Sequence, residues 1–248
     1  MKHTYRKRWG QNFLQDPNFI RKIIDIAHIE STDVVLEIGP GLGALTSELG
    51  KKVSRVVAVE IDPLLIEPLR KNLPANVEVV HQDFMKFDLD QFKDPYTVVG
   101  NLPYYITTPI LFKVLEHPGW VRSIFMVQKE VADRLFARPG TKDYGRLSVM
   151  IQAGAAIQKE FSVPPTVFYP QPSVESTVIS MMRRSSLDID TELFSEIVRL
   201  AFGQRRKKLR NTITNYLQNE LMIKFGEMRP ETLSVEDFVE ISTCCNRT

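Results

Sequence analysis

The residues with the clearest chemical potential are Asn101-Leu102-Pro103-Tyr104, which follow a short apolar segment ending at Val99. Asn101 offers a side-chain carbonyl and Leu102 a backbone carbonyl, while Pro103 restricts Leu102 to extended conformations and adds no N–H donor. Two such acceptors match the two hydrogens of an amino group on an aromatic ring. Holding both hydrogens favours a more tetrahedral nitrogen, so the segment predicts a site that makes the amino group of a planar base nucleophilic.

Two aromatic residues are candidates for holding that base. Tyr104 supplies one ring face, and stacking on an aromatic side chain is worth roughly 1 to 3 kcal/mol per base. Phe168, in the proline-rich loop 163–172, is a candidate for the opposite face of a sandwich around a base that has left its helix. The alternatives are turn chemistry for residues 101–104 and a hydrophobic core position for Phe168.

A glycine-rich turn, residues 37–43, directly follows the first apolar strand and precedes a helical segment that begins near Ala44. Gly39 and Gly41 allow a tight turn and a close approach of the backbone to a ligand, at the strand end where open α/β sheets bind ligands. The spacing differs from the dinucleotide fingerprint and from the phosphate-binding P-loop. A turn without any ligand remains the alternative at this point.

Acidic or amide residues recur after successive strands. Glu60 ends the second strand, where a carboxylate can accept hydrogen bonds from ribose hydroxyls, and Asp83 follows the third, where it can accept from an adenine amino group. Asn101 follows the fourth. One such residue is usually a turn or helix-cap residue, but three at corresponding strand ends indicate a nucleoside site. We assign the adjacent Ile61 and Phe84 to the same site.

The elements around these residues predict an α/β protein. Apolar, β-branched strands at 34–38, 56–59, 77–80, 98–99 and 124–127 alternate with helical segments at 63–72, 109–116 and 129–138. This alternation is typical of a parallel sheet with crossover helices, and two further strands at 156–161 and 177–182 close its edge. Beyond Arg183 only helical spacing remains. We therefore predict two domains, a catalytic domain at 1–185 and a helical domain at 186–248.

Composition gives an ordinary globular protein with a net charge of +2, too small to identify a partner. The basic residues, however, form two clusters, which we predict to bind RNA: the first because its cations are mixed with aromatic rings, which suits phosphates and stacked bases, and the second because five cations fall within six positions. The alternative is a pair of solvated faces. The first cluster surrounds Tyr5 and Trp9, and the second is predicted to head a helix that continues to Leu217. The clusters comprise Lys2, Arg6, Lys7 and Arg8, and Arg205, Arg206, Lys207, Lys208 and Arg210.

Other features narrow the class of protein. The two cysteines are adjacent and cannot join distant segments, and the four histidines show neither metal-ligand spacing nor a nucleophile partner, so we predict no metal site. The N-terminal segment lacks an apolar core like that of a signal peptide, and no segment is apolar for long enough to cross a bilayer. We expect a cytoplasmic protein that does not bind membranes.

The motifs occur together in one order that resembles the bacterial ribosomal RNA adenine dimethyltransferases, the type whose loss confers kasugamycin resistance. The markers are residues 10–14, 37–43, 82–84, 101–106 and 168–176. The resemblance covers nearly the whole chain. It implies a class I, Rossmann-like methyltransferase fold that uses S-adenosylmethionine, with a small all-helical C-terminal domain that recognises RNA. It also implies dimethylation of two adjacent adenosines in the 3′-terminal hairpin loop of small-subunit (16S) rRNA within an assembling 30S particle.

The resemblance also carries residue roles to matching positions. Contacts to S-adenosylmethionine are implied for Asn12, Leu14, Gly39, Glu60, Asp83 and Asn101. Tyr104 and Phe168 are implied to hold the adenine, and we expect a monomer. Two alternatives stay open: the related large-subunit rRNA methyltransferase that confers macrolide resistance, and a non-catalytic assembly or transcription factor that only binds nucleic acid.

Overall fold

The computed structural model describes residues 11–184 and 189–245. Its strands are β1 (Phe13–Leu14), β2 (Val34–Ile38), β3 (Arg55–Glu60), β4 (Val77–His81), β5 (Tyr96–Asn101), β6 (Trp120–Gln128), β7 (Ala155–Val163), β8 (Phe168–Tyr169) and β9 (Ser176–Arg183). Its helices are α1 (Pro17–Ala27), α2 (Ala44–Gly50), α3 (Pro63–Asn72), α4 (Thr107–Glu116), α5 (Lys129–Leu135), α6 (Arg146–Gly154), α7 (Thr191–Gly203), α8 (Glu220–Phe225) and α9 (Val235–Cys245). Short 3₁₀ turns connect several of them.

These elements form two compact units. The first comprises the described residues up to Ala132 together with Ile157–Arg183, and the second comprises Asp133–Ala156 and the described residues from Arg184 onward. The predicted division after residue 185 differs in one respect, because residues 133–156 group with the C-terminal part of the chain. A division into two continuous ranges cannot represent a chain that leaves the first unit and returns to it.

The first unit is built on a seven-stranded sheet with the order β4-β3-β2-β5-β6-β9-β7. The pairs from β4 through β6 are parallel, and β9 joins β6 in antiparallel orientation. The predicted strands are therefore confirmed, each within a few residues of its observed ends. Because parallel strands share one carboxyl edge, residues that follow β2, β3, β4 and β5 are brought to the same place.

Burial on both faces explains why these segments form strands. Val35, Leu36, Val56 and Val57 are fully buried, as expected for a parallel sheet covered by helices on either side. In α1 the buried residues Ile20, Ile23, Ile24 and Ala27 recur at helical spacing and pack into this core.

Two of the covering helices begin with the same type of N-cap, an aspartate followed by a proline. Asp16 caps α1 and Asp62 caps α3: each side chain accepts a hydrogen bond from a backbone N–H of the first turn, and a proline occupies the first helical position. Asp62 is also fully buried. These caps set the start of each helix, and the cap of α3 lies next to the end of β3.

A separate two-stranded sheet places the N-terminal segment on the first unit. Phe13 pairs with Tyr169 and Leu14 pairs with Phe168, in antiparallel orientation. The Gln15 backbone N–H also donates to the Val167 carbonyl at 3.0 Å. Two segments that are far apart in sequence are thus joined beside the carboxyl edge of the large sheet.

The second unit consists mainly of helices and turns. Its core includes buried residues of α6, α7 and α9, among them Ile151, Ile197, Val198 and Ile241. One prediction is wrong here: residues 205–217 do not continue as a helix. Helix α7 ends at Gly203, and the following residues form turns and 3₁₀ segments at Leu209–Asn211 and Thr214–Tyr216.

The described helices are too short or too polar to span a bilayer. None of those in residues 11–184 and 189–245 combines the length and apolar composition needed to cross a membrane.

Candidate active site

A cavity in the first unit opens at the carboxyl edge of the sheet. It is bordered by the glycine-rich turn after β2 and by the ends of β3, β4 and β5. The predicted residues that line it are Asn12, Leu14, Gly39, Gly41, Glu60, Ile61, Asp83, Phe84, Asn101, Leu102, Pro103 and Tyr104. The structure thus brings the predicted nucleoside residues and the predicted acceptor segment to one cavity.

The glycine-rich turn adopts a conformation that side chains resist. Gly39 and Gly41 have φ values of 68° and 59°, in the left-handed region. A Cβ on Gly39 would meet no atom within 4 Å, whereas a Cβ on Gly41 would lie 2.7 Å from the Phe13 ring. Gly39 therefore leaves room beside the cavity, and Gly41 leaves room for Phe13 to pack against the turn.

The Glu60 carboxylate accepts hydrogen bonds from three backbone N–H groups. Its Oε1 accepts from the N–H groups of Ile61 and Asp62, both at 2.8 Å, and its Oε2 accepts from the Gly41 N–H at 3.1 Å. Burial raises the pKa of Glu60, while these hydrogen bonds oppose that rise. Because Oε2 accepts from only one of these donors, that oxygen keeps a lone pair for a further donor in the cavity.

The N-terminal segment is tied to the cavity at two points. The Gln11 side chain donates to Asp62 at 2.8 Å, and the Asn101 Nδ2 donates to the Asn12 carbonyl at 2.8 Å. The second contact fixes the orientation of the Asn101 amide. With Nδ2 engaged in this way, the opposite atom, Oδ1, remains as an acceptor.

The segment after Asn101 forms a turn that is stabilised by hydrogen bonds. The Leu102 N–H donates to Met126 at 3.0 Å, and the Pro103 carbonyl accepts from the Ile106 N–H at 3.1 Å and from Thr107 Oγ1 at 3.0 Å. Among the described residues, no hydrogen bond to the Leu102 carbonyl is found. Asn101 Oδ1 and the Leu102 carbonyl are therefore two acceptors on consecutive residues at the cavity.

Tyr104 is anchored by a residue at the start of β9, which pairs with the carboxyl end of β6. Its hydroxyl lies 3.0 Å from Ser176 Oγ, and Ser176 is fully buried at the start of β9. Burial raises the pKa of Tyr104, with the Ser176 hydrogen bond opposing, so the phenol is neutral at ordinary pH. Its neighbour Tyr105 also lines the cavity and is 56% exposed.

Phe168 does not line the cavity. Its side chain is only 4% exposed and packs in the hydrophobic core with Leu14, Ile124 and Val178. In this structure it has the core position that the alternative interpretation gave it, because strand pairing with Leu14 directs its ring inward while Tyr169 is 51% exposed.

Sequence reasoning assigned no role to several residues at this site. Glu37, quoted only as part of the glycine-rich motif, lines the cavity and is buried, and its Oε2 has no hydrogen-bond partner among the described residues. Burial raises the pKa of Glu37 to about 8; the Thr46 hydroxyl opposes this rise and the charge of Glu60 adds to it. Ser176 is a further such residue, since no local pattern links it to Tyr104.

The predicted second basic cluster lies in the second unit, in turns rather than on a helix. Arg205 is half-buried, pairs with Glu231 at 2.6 Å and donates to two backbone carbonyls. Lys208 and Arg210 both pair with Glu227. Arg206 and Lys207 are exposed without such a pair among the described residues. The first cluster, Lys2, Arg6, Lys7 and Arg8, lies outside the described residues.

Two curated relatives match the chain over nearly its full length. The ribosomal RNA small subunit methyltransferase A of Nitrosospira multiformis is 43% identical over 255 residues, covering 100% of this chain and 98% of the relative. The protein of the same name from Bacillus mycoides is 43% identical over 264 residues, covering 96% of this chain and 90% of the relative.

Solved structures agree with this likeness. A dimethyladenosine transferase from Plasmodium falciparum superposes with a TM-score of 0.82 at 26% identity, over 95% of this chain and 98% of that one. The 23S rRNA methyltransferase ErmE gives a TM-score of 0.74 at 28% identity, over 95% of this chain and 100% of that one. The predicted α/β methyltransferase fold is therefore confirmed. The sequence pattern of the ribosomal RNA adenine dimethylases matches residues 2–246, and the chain belongs to that family.

Proposed function

We propose that this protein transfers methyl groups to the N6 amino groups of two adjacent adenosines, dimethylating each, in the 3′-terminal hairpin loop of small-subunit rRNA. The methyl donor of this family of enzymes is S-adenosylmethionine. The observation that carries the proposal is the pair of acceptors at Asn101 and Leu102, one oriented by Asn12 and the other without a partner among the described residues. This pair lies in the same cavity as the other two strand-end polar residues, Glu60 and Asp83.

The cofactor site is proposed from the groups that remain available in the cavity. Glu60 Oε2 accepts from the ribose, and Asp83 accepts from the adenine amino group beside Phe84. Asp83 uses one oxygen to accept from the Met85 N–H at 2.9 Å, which leaves its other oxygen for this contact. Gly39 leaves room for the cofactor, Gly41 lets Phe13 pack against the turn that borders it, and Asn12, Leu14 and Ile61 complete its surroundings.

The reaction requires orientation more than a strong base. When bound, S-adenosylmethionine would supply an electrophilic methyl group on its sulfonium sulfur, and the methyl–sulfur bond would break to leave a neutral thioether. Before the first transfer, Asn101 Oδ1 and the Leu102 carbonyl accept the two N6 hydrogens; before the second, one of them accepts the hydrogen that remains. These bonds turn the nitrogen lone pair out of the ring plane. Pro103 keeps Leu102 extended, and Tyr104 holds the base by stacking. After transfer, the nitrogen releases one proton to solvent.

The RNA is proposed to be held outside the cavity as well. The N-terminal cluster and the cluster at 205–210 supply cations for phosphate groups, and in the second cluster Arg206 and Lys207 are the residues without an ion pair among the described residues. The helical C-terminal part, residues 186–248, is proposed to recognise the RNA. We propose that the protein acts as a monomer in the cytoplasm, on an assembling 30S particle.

Two rival functions lead to different experimental results. The large-subunit enzyme is represented by ErmE, which is 28% identical to this chain, against 43% for the small-subunit relatives. Greater identity to the second group favours the small subunit. A protein that only binds nucleic acid would have no need of two acceptors beside a cavity lined by Glu60 and Asp83.

Tritiated methyl transfer tests the proposal directly. Immature small subunits should accept label from S-adenosylmethionine, and mass spectrometry should locate it on two adjacent adenosines. Asn101→Ala should abolish labelling while the protein still binds RNA. Saturation of the RNA without label would support a binding protein, and labelling of isolated large-subunit RNA alone would reverse the choice of substrate.

A further inference from the structure

The turn that follows β4, residues 83–87, accepts hydrogen bonds from the side chain of one lysine, Lys113. We propose that Lys113 is a positioning residue that orients Asp83 and thereby makes the cofactor site selective for adenine over bases with a 6-oxo group. The inference rests on the proposed function, in which Asp83 accepts from the adenine amino group.

The contacts of Lys113 converge on this turn. Its Nζ donates to the carbonyls of Met85 at 3.0 Å and Phe87 at 2.5 Å, and it lies 5.3 Å from the centroid of the Phe84 ring. Among the described residues, no carboxylate forms an ion pair with Lys113 Nζ at 4 Å or less. The ammonium group is therefore used to bind backbone carbonyls and to cover the ring that lines the cavity.

The backbone of the turn explains why those two carbonyls need a partner. The Asp83 carbonyl accepts from the Lys86 N–H at 2.9 Å, and the Phe84 carbonyl accepts from the Phe87 N–H at 3.1 Å. Among the described residues, no backbone N–H is found to donate to the carbonyls of Met85 and Phe87. Since unpaired carbonyls must find a donor, Lys113 supplies the bonds that complete the turn.

The same turn determines where the Asp83 carboxylate lies. Asp83 caps it, with one side-chain oxygen accepting from the Met85 N–H at 2.9 Å. Burial lowers the pKa of Lys113, and the charges of Asp83 and Asp88 oppose that fall. Loss of the lysine should let the turn shift and take the free oxygen of Asp83 away from the base.

Helix α4 gives this arrangement a second consequence. The helix that carries Lys113 begins at Thr107, and Tyr105 and Ile106 connect it to the Asn101–Tyr104 acceptor segment. Lys113 therefore links the proposed adenine pocket of the cofactor to the element that follows the methyl-acceptor site. A fixed distance between them is what methyl transfer to a positioned amine requires.

Base selectivity is the measurement that separates this role from general stabilisation. Calorimetry would compare the dissociation constants of S-adenosylhomocysteine and S-inosylhomocysteine, in which an oxo group replaces the amino group. The wild type should prefer the adenosyl compound, because the Asp83 carboxylate accepts from the amino group and repels the oxo group. Lys113→Met should weaken adenosyl binding about tenfold with little change for the inosyl compound, as expected for loss of charge-assisted hydrogen bonds.

Two further variants complete the test. Lys86→Met removes the same charge from an exposed side chain of the same turn and should leave the selectivity ratio unchanged. Lys113→Arg, which keeps donors for both carbonyls, should restore most of the selectivity. Lys113→Gln, with a shorter neutral donor, should give an intermediate ratio and substitutes for the Met variant if that variant does not fold.

The contrary outcomes are distinct. Equal weakening of both compounds in Lys113→Met, or an equal effect of Lys86→Met, would overturn the inference and leave the proposed function intact. A wild type that binds both compounds equally would also overturn it. A wild type that binds neither compound and transfers no methyl group would instead refute the proposed function.

Discussion

The hydrogen bond between Tyr104 and Ser176 gives a prediction whose size follows from the structure. Ser176→Ala removes the partner of the Tyr104 hydroxyl, 3.0 Å away, without touching the ring that stacks on the base. A hydrogen bond of this kind contributes about 0.5–1.5 kcal/mol net, and about 1.4 kcal/mol corresponds to tenfold in rate. We expect kcat/KM for methyl transfer to fall about two- to twelvefold.

The assay separates base positioning from cofactor binding. Methyl transfer to immature small subunits gives kcat/KM for the RNA, while calorimetry gives the dissociation constant of S-adenosylhomocysteine. The first should change and the second should not, because Ser176 does not line the cavity. Tyr104→Phe removes the same hydrogen bond from its other end, so the double variant should be no worse than either single variant.

A matched serine controls for the loss of a buried hydroxyl. Ser123 is also fully buried in the sheet, but its hydroxyl has no hydrogen-bond partner among the described residues. Ser123→Ala should therefore leave kcat/KM unchanged. An unaltered rate in Ser176→Ala, or the same loss in Ser123→Ala, would refute the idea that Ser176 positions Tyr104.

Three further perturbations have outcomes set by the structure. Gly41→Ala would place a Cβ 2.7 Å from the Phe13 ring at a φ of 59°, so we expect the melting temperature to fall and cofactor binding to weaken, with overpacking alone costing about 1–3 kcal/mol. Because burial raises the pKa of Glu37 from 4.5 to about 8, the folded state binds the proton of this group more tightly than the unfolded state does. The contribution of Glu37 to the free energy of unfolding should therefore fall as the pH rises from about 4.5 to 8. Glu37→Gln should flatten that dependence in denaturant titrations. Joint replacement of Arg206 and Lys207 by Gln should reduce the salt dependence of RNA binding by about 0.7–0.9 per lost phosphate contact and leave cofactor binding unchanged.

The first of these perturbations has a matched control, and each of the other two has a result that would contradict it. Gly140 has a φ of 82° and open space around its Cβ, so Gly140→Ala carries the conformational cost without a clash and should leave cofactor binding intact. A pH profile for Glu37→Gln that coincides with the wild type would contradict the assignment of that titration to Glu37. An unchanged salt slope after removal of Arg206 and Lys207 would show that this cluster is a solvated face.

Much of the first unit could be predicted because the apolar pattern of each strand and helix lies within a few adjacent residues. Apolar, β-branched segments gave β2 through β6 within a few residues, and alternation with helices implied a parallel sheet. The residues that follow those strands, Glu60, Asp83 and Asn101, were then expected together, since parallel strands end at a common edge. Their presence around one cavity agrees with that reasoning.

The basic cluster at 205–210 was visible in the sequence, but its environment was not. Apolar residues at helical spacing predicted a helix to Leu217, whereas the chain forms turns and 3₁₀ segments there. Whether a cation is available to RNA depends on acids elsewhere in the chain. Glu227 and Glu231 pair with three of the five cations, and no spacing within residues 205–210 reveals them.

By itself, the sequence determined the fold class, the family and the residue types that border the cavity, because these depend on periodicity and on motifs of a few adjacent residues. Only the tertiary structure decided which of those groups are oriented. Asn12 is 89 residues from the Asn101 amide that it orients, Ser176 is 72 residues from Tyr104, and the packing of Phe168 depends on its pairing with Leu14. Hydrogen bonds and burial act through space, so contacts between residues that far apart leave no periodic signal along the chain.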